Sequence, residues 1–595
     1  MDKKHSHSRK KGQWLTPISI TMLCGMGLVA FFIIFFYIPL GRVFHFAFAN
    51  NSGMTPHSWK EVLGYSLNLR AIQFSALEAI ITTVLCLILG IPIGIFLGNY
   101  NFKGRSTFLQ LLTIPFVLPP IVVLLGFVIV YGDGGWINTL WNNFSGGLQG
   151  LISIYGTYTG IILAHVFYNL SVVIQFTIPA WQRLNREQKD VALSLGASHW
   201  RIFWRIQFPQ MKSAILAAAL LVFLYSFNSF AIVLYLGNVQ LQTLEVRIYK
   251  LILVAFDYQS GAILALLQLF LNIFLIFAYL RLNRSTQNQN SGPIAQFVYK
   301  KIPWYGAHDV KRSFGFILVV IGFMIIVVFQ LLPLIAVVIT AFTPNNENSK
   351  PFSGFLLLFN SNYDPLLGAS ILRLIGNTLL FAFTAMLVTL LFTLGILLIY
   401  RRRYHTISQY KNSSLDSIFA FLIILPMATS SITLALGLFL QYKSTILYLQ
   451  SPWILIIGAH ILLGIPFATR TVIHAYQQID PELIHVASTL GASNWVIFKK
   501  IEFPLIKPGL FVGALFSFAI SIGEFGATYF LARGEFGTIS IAISKLLSTR
   551  NMQLPASMAT LLILLTLISF LLIQKIGNKT LLNKRKHLLK RDNIY

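Results

Sequence analysis

Twelve long apolar runs constrain this chain more than anything else in it. A helix rises 1.5 Å per residue, so roughly 20 apolar residues cross the hydrocarbon layer of a bilayer. The runs lie at residues 16–40, 71–97, 107–130, 159–180, 213–236, 261–280, 313–342, 374–399, 417–440, 452–469, 508–531 and 554–574. Inside lipid a segment has to satisfy its own backbone hydrogen bonds, which makes each run a helix. Of 595 residues, 56% are hydrophobic and 11% charged, against about 25% charged in soluble domains. That leaves too little polar surface for an aqueous enzyme, a nucleic-acid-binding protein or a disordered chain. The expectation is an all-α polytopic membrane protein with about twelve transmembrane helices.

The 45 Lys and Arg outnumber the 18 Asp and Glu, and their placement explains the excess. With the N-terminus inside, the cytoplasmic segments hold 34 of the basic residues and the external loops 11. Basic residues collect in cytoplasmic loops, so both termini are predicted inside and the number of spans even. The basic start (Lys3, Lys4, Arg9, Lys10, Lys11) resembles a signal peptide. The apolar stretch behind it is too long for one, and a retained anchor is expected. Residues 281–312 form the one long polar connector, including STQNQNSG at 285–292, a linker composition. The predicted organisation is a basic tail (1–15), a first repeat (16–280), a cytoplasmic linker (281–312), a second repeat (313–574) and a basic tail (575–595). Each half starts and ends inside, so the two six-helix repeats are parallel, with a pathway expected at their interface. Cys24 and Cys86 fall in apolar runs and form no disulfide framework or metal-ligand spacing.

A duplication outside the membrane ties the halves together. DVALSLGASHWRIFWRIQFP at 190–209 and HVASTLGASNWVIFKKIEFP at 485–504 share 12 of 20 positions at an offset of 295. Both are polar loops, where shared hydrophobicity cannot produce the match. Val191, Ala192 and Leu195 have helical spacing and end at Gly196, which suits a helix C-terminus. Trp200, Ile202, Phe203 and Ile206 resume an apolar face that Pro209 is predicted to stop. The second copy repeats this with Trp495, Ile497, Phe498 and Ile501. Two alternatives follow: a pair of short helices that docks in a partner's groove, or one that lies on lipid headgroups.

These loops resemble the coupling motif of ABC importer permeases, E-A-A-x-x-x-G-x9-I-x-L-P. Asp190, Val191, Ala192, Gly196, Ile206 and Pro209 fall on it in the first half, and His485, Val486, Ala487, Gly491, Ile501 and Pro504 in the second. Asp190 and His485 replace the motif's first Glu, Val191 and Val486 its first Ala, and Phe208 and Phe503 its Leu. The resemblance implies the type I permease fold, with each loop seated in a groove of a cytoplasmic ATPase. The chain lacks G-x-x-x-x-G-K-[ST]. ATP is then bound and hydrolysed by a separate polypeptide, this chain carrying no cofactor or metal and catalysing nothing itself. Two loops imply two ATPase copies, and an external substrate-binding protein and a bacterial plasma membrane complete the implied system. Residues 112–126 (LTIPFVLPPIVVLLG) and 424–437 (ILPMATSSITLALG) resemble the third span of each permease half. Within the family, the fused repeats resemble thiamine and iron(III) permeases. SFNSFAIVLYLG at 226–237, TLEVRIYK at 243–250 and DYQSGAILALLQL at 257–269 are most similar to thiamine permeases.

Polar residues inside spans are candidates for the pathway. His165 and His460 occupy the same place in the fourth span of each half, either as a pathway pair or as interhelical hydrogen-bond donors. Glu524, in SIGEFGAT, has Ser229 as its counterpart in the first half. It either binds a cation or is bonded to backbone at a close helix crossing. Pro119–Pro120 frees backbone carbonyls, to line a cavity or merely to kink the helix. Glu78, near the start of the second span, is expected at the interface. The rival class is a gradient-driven secondary transporter of twelve spans, whose loop pattern Gly98…Lys103, Gly104, Arg105 faintly echoes; it leaves the duplicated loops unexplained. An intramembrane enzyme would need a clustered nucleophile or metal set.

Overall fold

The computed structural model describes residues 17–48, 59–102, 104–145, 150–288, 300–301, 310–344, 352–359, 361–406, 425–426, 428–547, 549 and 551–592. Among them, eleven helices are long and apolar enough to cross a membrane. Six belong to the first half: Gly25–Phe48, Ser66–Asn99, Pro120–Ser145, Tyr158–Gln182, His199–Phe227 and Tyr258–Leu282. Five belong to the second: Val320–Phe342, Ile371–Arg401, Pro452–Gln477, Asn494–Gly523 and Gln553–Ile573. The run at 417–440 is represented by the shorter helix Ser431–Tyr442, because part of it lies outside the described residues. The only strands among the described residues are two-residue pairs, Tyr100–Asn101 beside Lys300–Lys301 and Tyr363–Asp364 beside Ala369–Ser370.

Three expected features differ. The sixth and last helices do not stop with their apolar runs but continue to Asn288 and Asp592, through basic residues that are good helix formers. Pro209 and Pro504 do not stop a helix. Each follows one π-helical turn, Phe203–Gln207 or Phe498–Glu502, closed by bonds from Phe208 N to Phe203 O and from Phe503 N to Phe498 O. The wider turn accommodates a residue that lacks an N–H, and the docking-loop helix runs on into the membrane. The fifth span of each half, in contrast, is interrupted. Phe208–Phe227 gives way to Ala231–Leu236, and Phe503–Gly523 to Gly526–Leu531.

Within the first half the second and fourth spans approach closely. Gly90, Gly94 and Gly98 repeat every four residues along one helix face and meet Val173, Thr177 and Trp181. A Cβ on Gly94 would lie 2.6 Å from Thr177 Cβ. Lipid gives apolar side chains no reason to leave it, so close backbone approach and dispersion hold such pairs. The halves are joined by exchanging their first spans. Gly126 lies against Pro333 of the second half's first span, and Gly437 against Pro39 of the first half's. Phe35 covers Gly458, Phe31 packs on Phe392 with centroids 4.8 Å apart, and Tyr442 Oη donates to Ile34 O at 2.9 Å. In the mirror contact Phe329 sits between Phe127 and Phe167.

Gly94→Val is expected to remove about 1–3 kcal/mol by overpacking. Gly27→Val, with nothing within 4 Å of its Cβ, is expected to be neutral. Thermal melting of the two detergent-purified variants checks this; equal melting temperatures would refute the packing account.

Candidate functional site

The two duplicated loops are built alike from their sequences. Asn185 caps Arg186–Ser194 by accepting from Glu187 N at 2.8 Å, and Asp480 caps Pro481–Thr489 by accepting from Glu482 N at 3.0 Å. Each short helix ends on a glycine in the left-handed region, Gly196 at φ +78° and Gly491 at φ +81°. Bonds from Ala197 N to Ala192 O and from Ala492 N to Ala487 O then close the turn. This is the helix C-terminus that glycine permits. Ser198 and Ser493 cap the next helices through Arg201 N and Val496 N.

What this geometry does is hold apolar side chains in the open. Leu195 and Leu490 are each 82% exposed, Val191 and Val486 each 59%, and Trp200 and Trp495 are exposed beside them. An exposed apolar cluster on a rigid turn marks an interaction surface. Asp190, His485, Pro209 and Pro504 are exposed, whereas Ala192, Ala487, Ile206 and Ile501 are half-buried. The motif residues therefore divide into those that shape the turn and those that face outward.

The candidate pathway residues gather at the two breaks. His165 is buried, with Nδ1 2.5 Å from Glu78 Oε1 and Nε2 2.6 Å from Ser229 Oγ. His460 is buried in the same place, with Nδ1 2.6 Å from Ser521 Oγ, Nε2 2.8 Å from Thr528 Oγ1 and 3.4 Å from Glu524 Oε2. Glu524 accepts from Ala527 N at 2.7 Å and from Thr528 N at 2.9 Å. Its carboxylate thus caps the short helix Gly526–Leu531. A Cβ on Gly526 would lie 2.4 Å from Ser431 Oγ. These contacts are those of the backbone-bonded glutamate and of the interhelical histidine, the second alternative for each residue. Glu78 is not interfacial: it is fully buried and pairs with His165.

Glu78 has no carboxylate counterpart in the second half, because the repeat offset changes here. Ser75 Oγ accepts from Leu244 N at 2.8 Å, and Thr378 Oγ1 accepts from Ile539 N at 2.9 Å. The amide donors are 295 apart but the acceptors 303, so the counterpart of Glu78 is Phe381. Each half therefore has a histidine–carboxylate pair, with the acid on the second span in one half and at the broken fifth span in the other.

Pro119 and Pro120 split the third span. The helix Arg105–Val117 ends, Pro119 is extended at φ −56° and ψ 134°, and Pro120 opens Pro120–Tyr131. The freed Leu118 carbonyl accepts from Tyr168 Oη at 2.9 Å. Pro119 is buried and lies against Gly523 of the other half. The break is thus at the boundary between halves.

Sequence reasoning missed the aromatic contact at this boundary. Phe230 and Phe525 follow Ser229 and Glu524 and are repeat counterparts, and their ring centroids are 6.0 Å apart. Tyr249 lies 5.4 Å from Phe230, Tyr529 lies 4.9 Å from Phe525, and the two tyrosines are 5.6 Å apart. Both phenylalanines are buried and both tyrosines half-buried. Tyr249 and Glu245 share the helix Leu244–Leu253, between the fifth and sixth spans. Burial pushes the Glu245 carboxyl up to about 8, the nearby Glu524 adds to this, and hydrogen bonds from Ser430 and Gln268 oppose it.

Comparison with known proteins agrees with this architecture. Residues 90–288 and 405–582 each match the family described as binding-protein-dependent transport system inner membrane component. The thiamine transport system permease protein ThiP of Haemophilus influenzae is 27% identical over 507 residues, covering 84% of this chain and 87% of that protein. ThiP of Escherichia coli is 26% identical over 572 residues, covering 95% and 97%. A chain of the bacterial alginate ABC transporter, solved with its pentasaccharide-bound periplasmic protein, aligns over 46% of this chain and 95% of its own. That alignment has 15% identity and a TM-score of 0.37, too loose to bear on the fold. With the family's domain present twice, in place of a secondary transporter or an intramembrane enzyme, this chain belongs to the binding-protein-dependent inner-membrane components and is a fused, two-repeat ABC importer permease.

Proposed function

We propose that this chain imports thiamine across a bacterial plasma membrane, driven by two copies of a separate cytoplasmic ATPase and supplied by an external substrate-binding protein. The observation that carries the reading is the pair of matched loops, each presenting exposed Val, Leu and Trp from a capped turn. Exposed apolar surface on a polar loop is unfavourable unless something covers it. Two equal surfaces call for two equal partners. Each ATPase seats on one loop, at the family's motif positions Asp190, Ala192, Gly196, Ile206 and Pro209 or His485, Ala487, Gly491, Ile501 and Pro504. ATP is bound there and not on this chain. The loops and both termini then face the cytoplasm, as the basic residues favour.

Thiamine is supported by the names of the relatives described above, which are thiamine and not iron permeases. The aromatic contact between the halves suits such a solute. Thiamine joins a pyrimidine to a cationic thiazolium ring, and aromatic side chains offer such rings both stacking and an electronegative face. On this reading the solute passes between Phe230, Tyr249, Phe525 and Tyr529. The histidine–carboxylate pairs of His165 and His460, with Ser229 and Glu524, hold the breaks beside it, and Pro119 and Pro120 border it.

Leu195→Asp with Leu490→Asp places charge on both docking surfaces without touching the core. ATPase co-purified with the permease is expected to fall about tenfold or more, a loss of at least 1.4 kcal/mol, with melting temperature unchanged. Undiminished co-purification would show that the loops are not the docking elements. Tyr249→Leu with Tyr529→Leu is expected to cut labelled thiamine uptake severalfold while ATPase binding persists. Failure of the intact system to take up thiamine would remove the substrate assignment. Uptake unaffected by the tyrosine changes would remove only the aromatic route.

A further inference from the structure

The two docking loops have the same exposed face but are fastened to the membrane helices differently. In the second half Glu502, one residue before Phe503–Gly523, is fully buried and pairs with Arg401 at the end of the eighth span, Ile371–Arg401. The same guanidinium donates through Nη2 to Asn494 O at 2.8 Å and lies 5.4 Å from the centroid of Phe498. Tyr476 Oη on the tenth span donates to Glu502 Oε1 at 3.2 Å. One arginine and one glutamate thus bind loop, eighth span and tenth span together. Ile484, Ile497 and Phe498 of the loop are buried against Leu397, Val472 and Tyr476.

The matched positions of the first half carry other residues. The counterpart of Glu502 is Gln207 at the offset of 295. The counterpart of Arg401 is Gly98 at the offset of 303 that the Ser75–Leu244 and Thr378–Ile539 bonds define. Tyr476 becomes Trp181, which donates Nε1 to Asn99 Oδ1 at 2.8 Å and lies on Gly98. Here the tie between the second and fourth spans is a neutral hydrogen bond, and the nearby Arg105 guanidinium bonds the backbone of the second span at Leu97 O and not the loop. Of the first loop's counterparts to Ile484, Ile497, Phe498 and Glu502, only Ile202 is buried; Lys189, Phe203 and Gln207 are half-buried.

We propose that Arg401 and Glu502 are positioning residues that make the second docking loop one rigid body with its half, while the first loop pivots on its own. Force applied by an ATPase at Leu490 reaches the eighth and tenth spans through a buried charge pair, which does not yield without exposing an unpaired charge. Force applied at Leu195 reaches the membrane through the π-helical turn and the fifth span. The power stroke therefore enters chiefly through the second half. This inference rests on the ATPase-docking reading above.

The first test needs no partner and no mutation. In the intact wild-type permease, backbone amide exchange over residues 483–501 is expected to be at least tenfold slower than over 188–206. Equal exchange in the two loops would overturn the clamp. The second test is Glu502→Gln, which gives the second loop the residue the first has. With ATPase and binding protein reconstituted, it is expected to keep ATPase binding but raise ATP hydrolysed per solute moved severalfold. Arg401→Gln is expected to match it, and the double variant to be no worse than either alone. Gln207→Leu, at the unclamped site, is expected to leave the ratio unchanged. A normal ratio in folded Glu502→Gln would overturn transmission through the clamp. Absence of any bound ATPase on the wild type would instead defeat the docking reading and leave the exchange result standing. If Glu502→Gln fails to fold, the exchange comparison decides.

Discussion

A bilayer supplies no hydrogen-bond partners, and each fifth span of this protein is broken inside it. Every donor and acceptor freed by the break has to be met by protein. Thr243 Oγ1 meets this requirement at Ser229 O, and the Glu524 carboxylate meets it at Ala527 N and Thr528 N, while His165 and His460 hold the side chains around the breaks. Each histidine lies on the unbroken fourth span and reaches across to the interrupted helix, to Ser229 in one half and to Ser521, Thr528 and Glu524 in the other. With the breaks held, Phe230 and Phe525 come together between the halves. At the other end of the same helices the docking loops lead in through their π-helical turns. The exposed loops and the aromatic contact are thus the two ends of one mechanical element per half, and the histidine is its fixed point.

Much of this was legible in the sequence, for identifiable reasons. Span positions follow from hydropathy, because lipid imposes a length and a composition on any helix that crosses it. The duplicated loops were legible because a glycine at positive φ is a local requirement, recorded in the residue itself at Gly196 and Gly491. Long-range contacts leave no such record. The offset of 295 correctly paired His165 with His460 and Ser229 with Glu524. Glu78, read as interfacial from its place near the start of a span, is instead buried against His165, 87 residues further along the chain. Pro209 and Pro504 misled for a different reason. A proline forbids a regular α-helical bond, but a π-helical turn before it removes the conflict and leaves no mark in composition.

The duplication explains the architecture and the departures from it. Two-fold similarity makes one packing solution serve twice, as Gly126 on Pro333 and Gly437 on Pro39 show. Once the halves are fused, however, neither is under pressure to keep its own copy of every part. The carboxylate beside the fourth-span histidine sits on the second span in one half and at the broken fifth span in the other. The ring opposite Tyr529 is Tyr249, and its repeat counterpart is Ser544. Fusion also fixes the first spans in their exchanged positions, since each half needs the other to cover its third span. Each such change keeps the local hydrogen-bond or packing demand satisfied while distinguishing the halves.

This asymmetry bears on what kind of conduit the protein forms. Glu524 spends both carboxylate oxygens on Ala527 and Thr528, and both nitrogens of His165 and of His460 have partners within the protein. Polar groups committed to holding helices are poor ligands for a transported solute, because binding it would mean releasing the break they hold. On the proposed route the groups left to meet the solute between the halves are the rings of Phe230, Tyr249, Phe525 and Tyr529. Aromatic faces attract a cation by about 0.5–1 kcal/mol per contact when exposed, weak enough to let go. In the proposed import cycle a strong ligand at this point would retain the solute, whereas a weak aromatic passage releases it. Discrimination then falls to the binding protein, and the permease is left to couple movement at its docking loops to the parting of four rings.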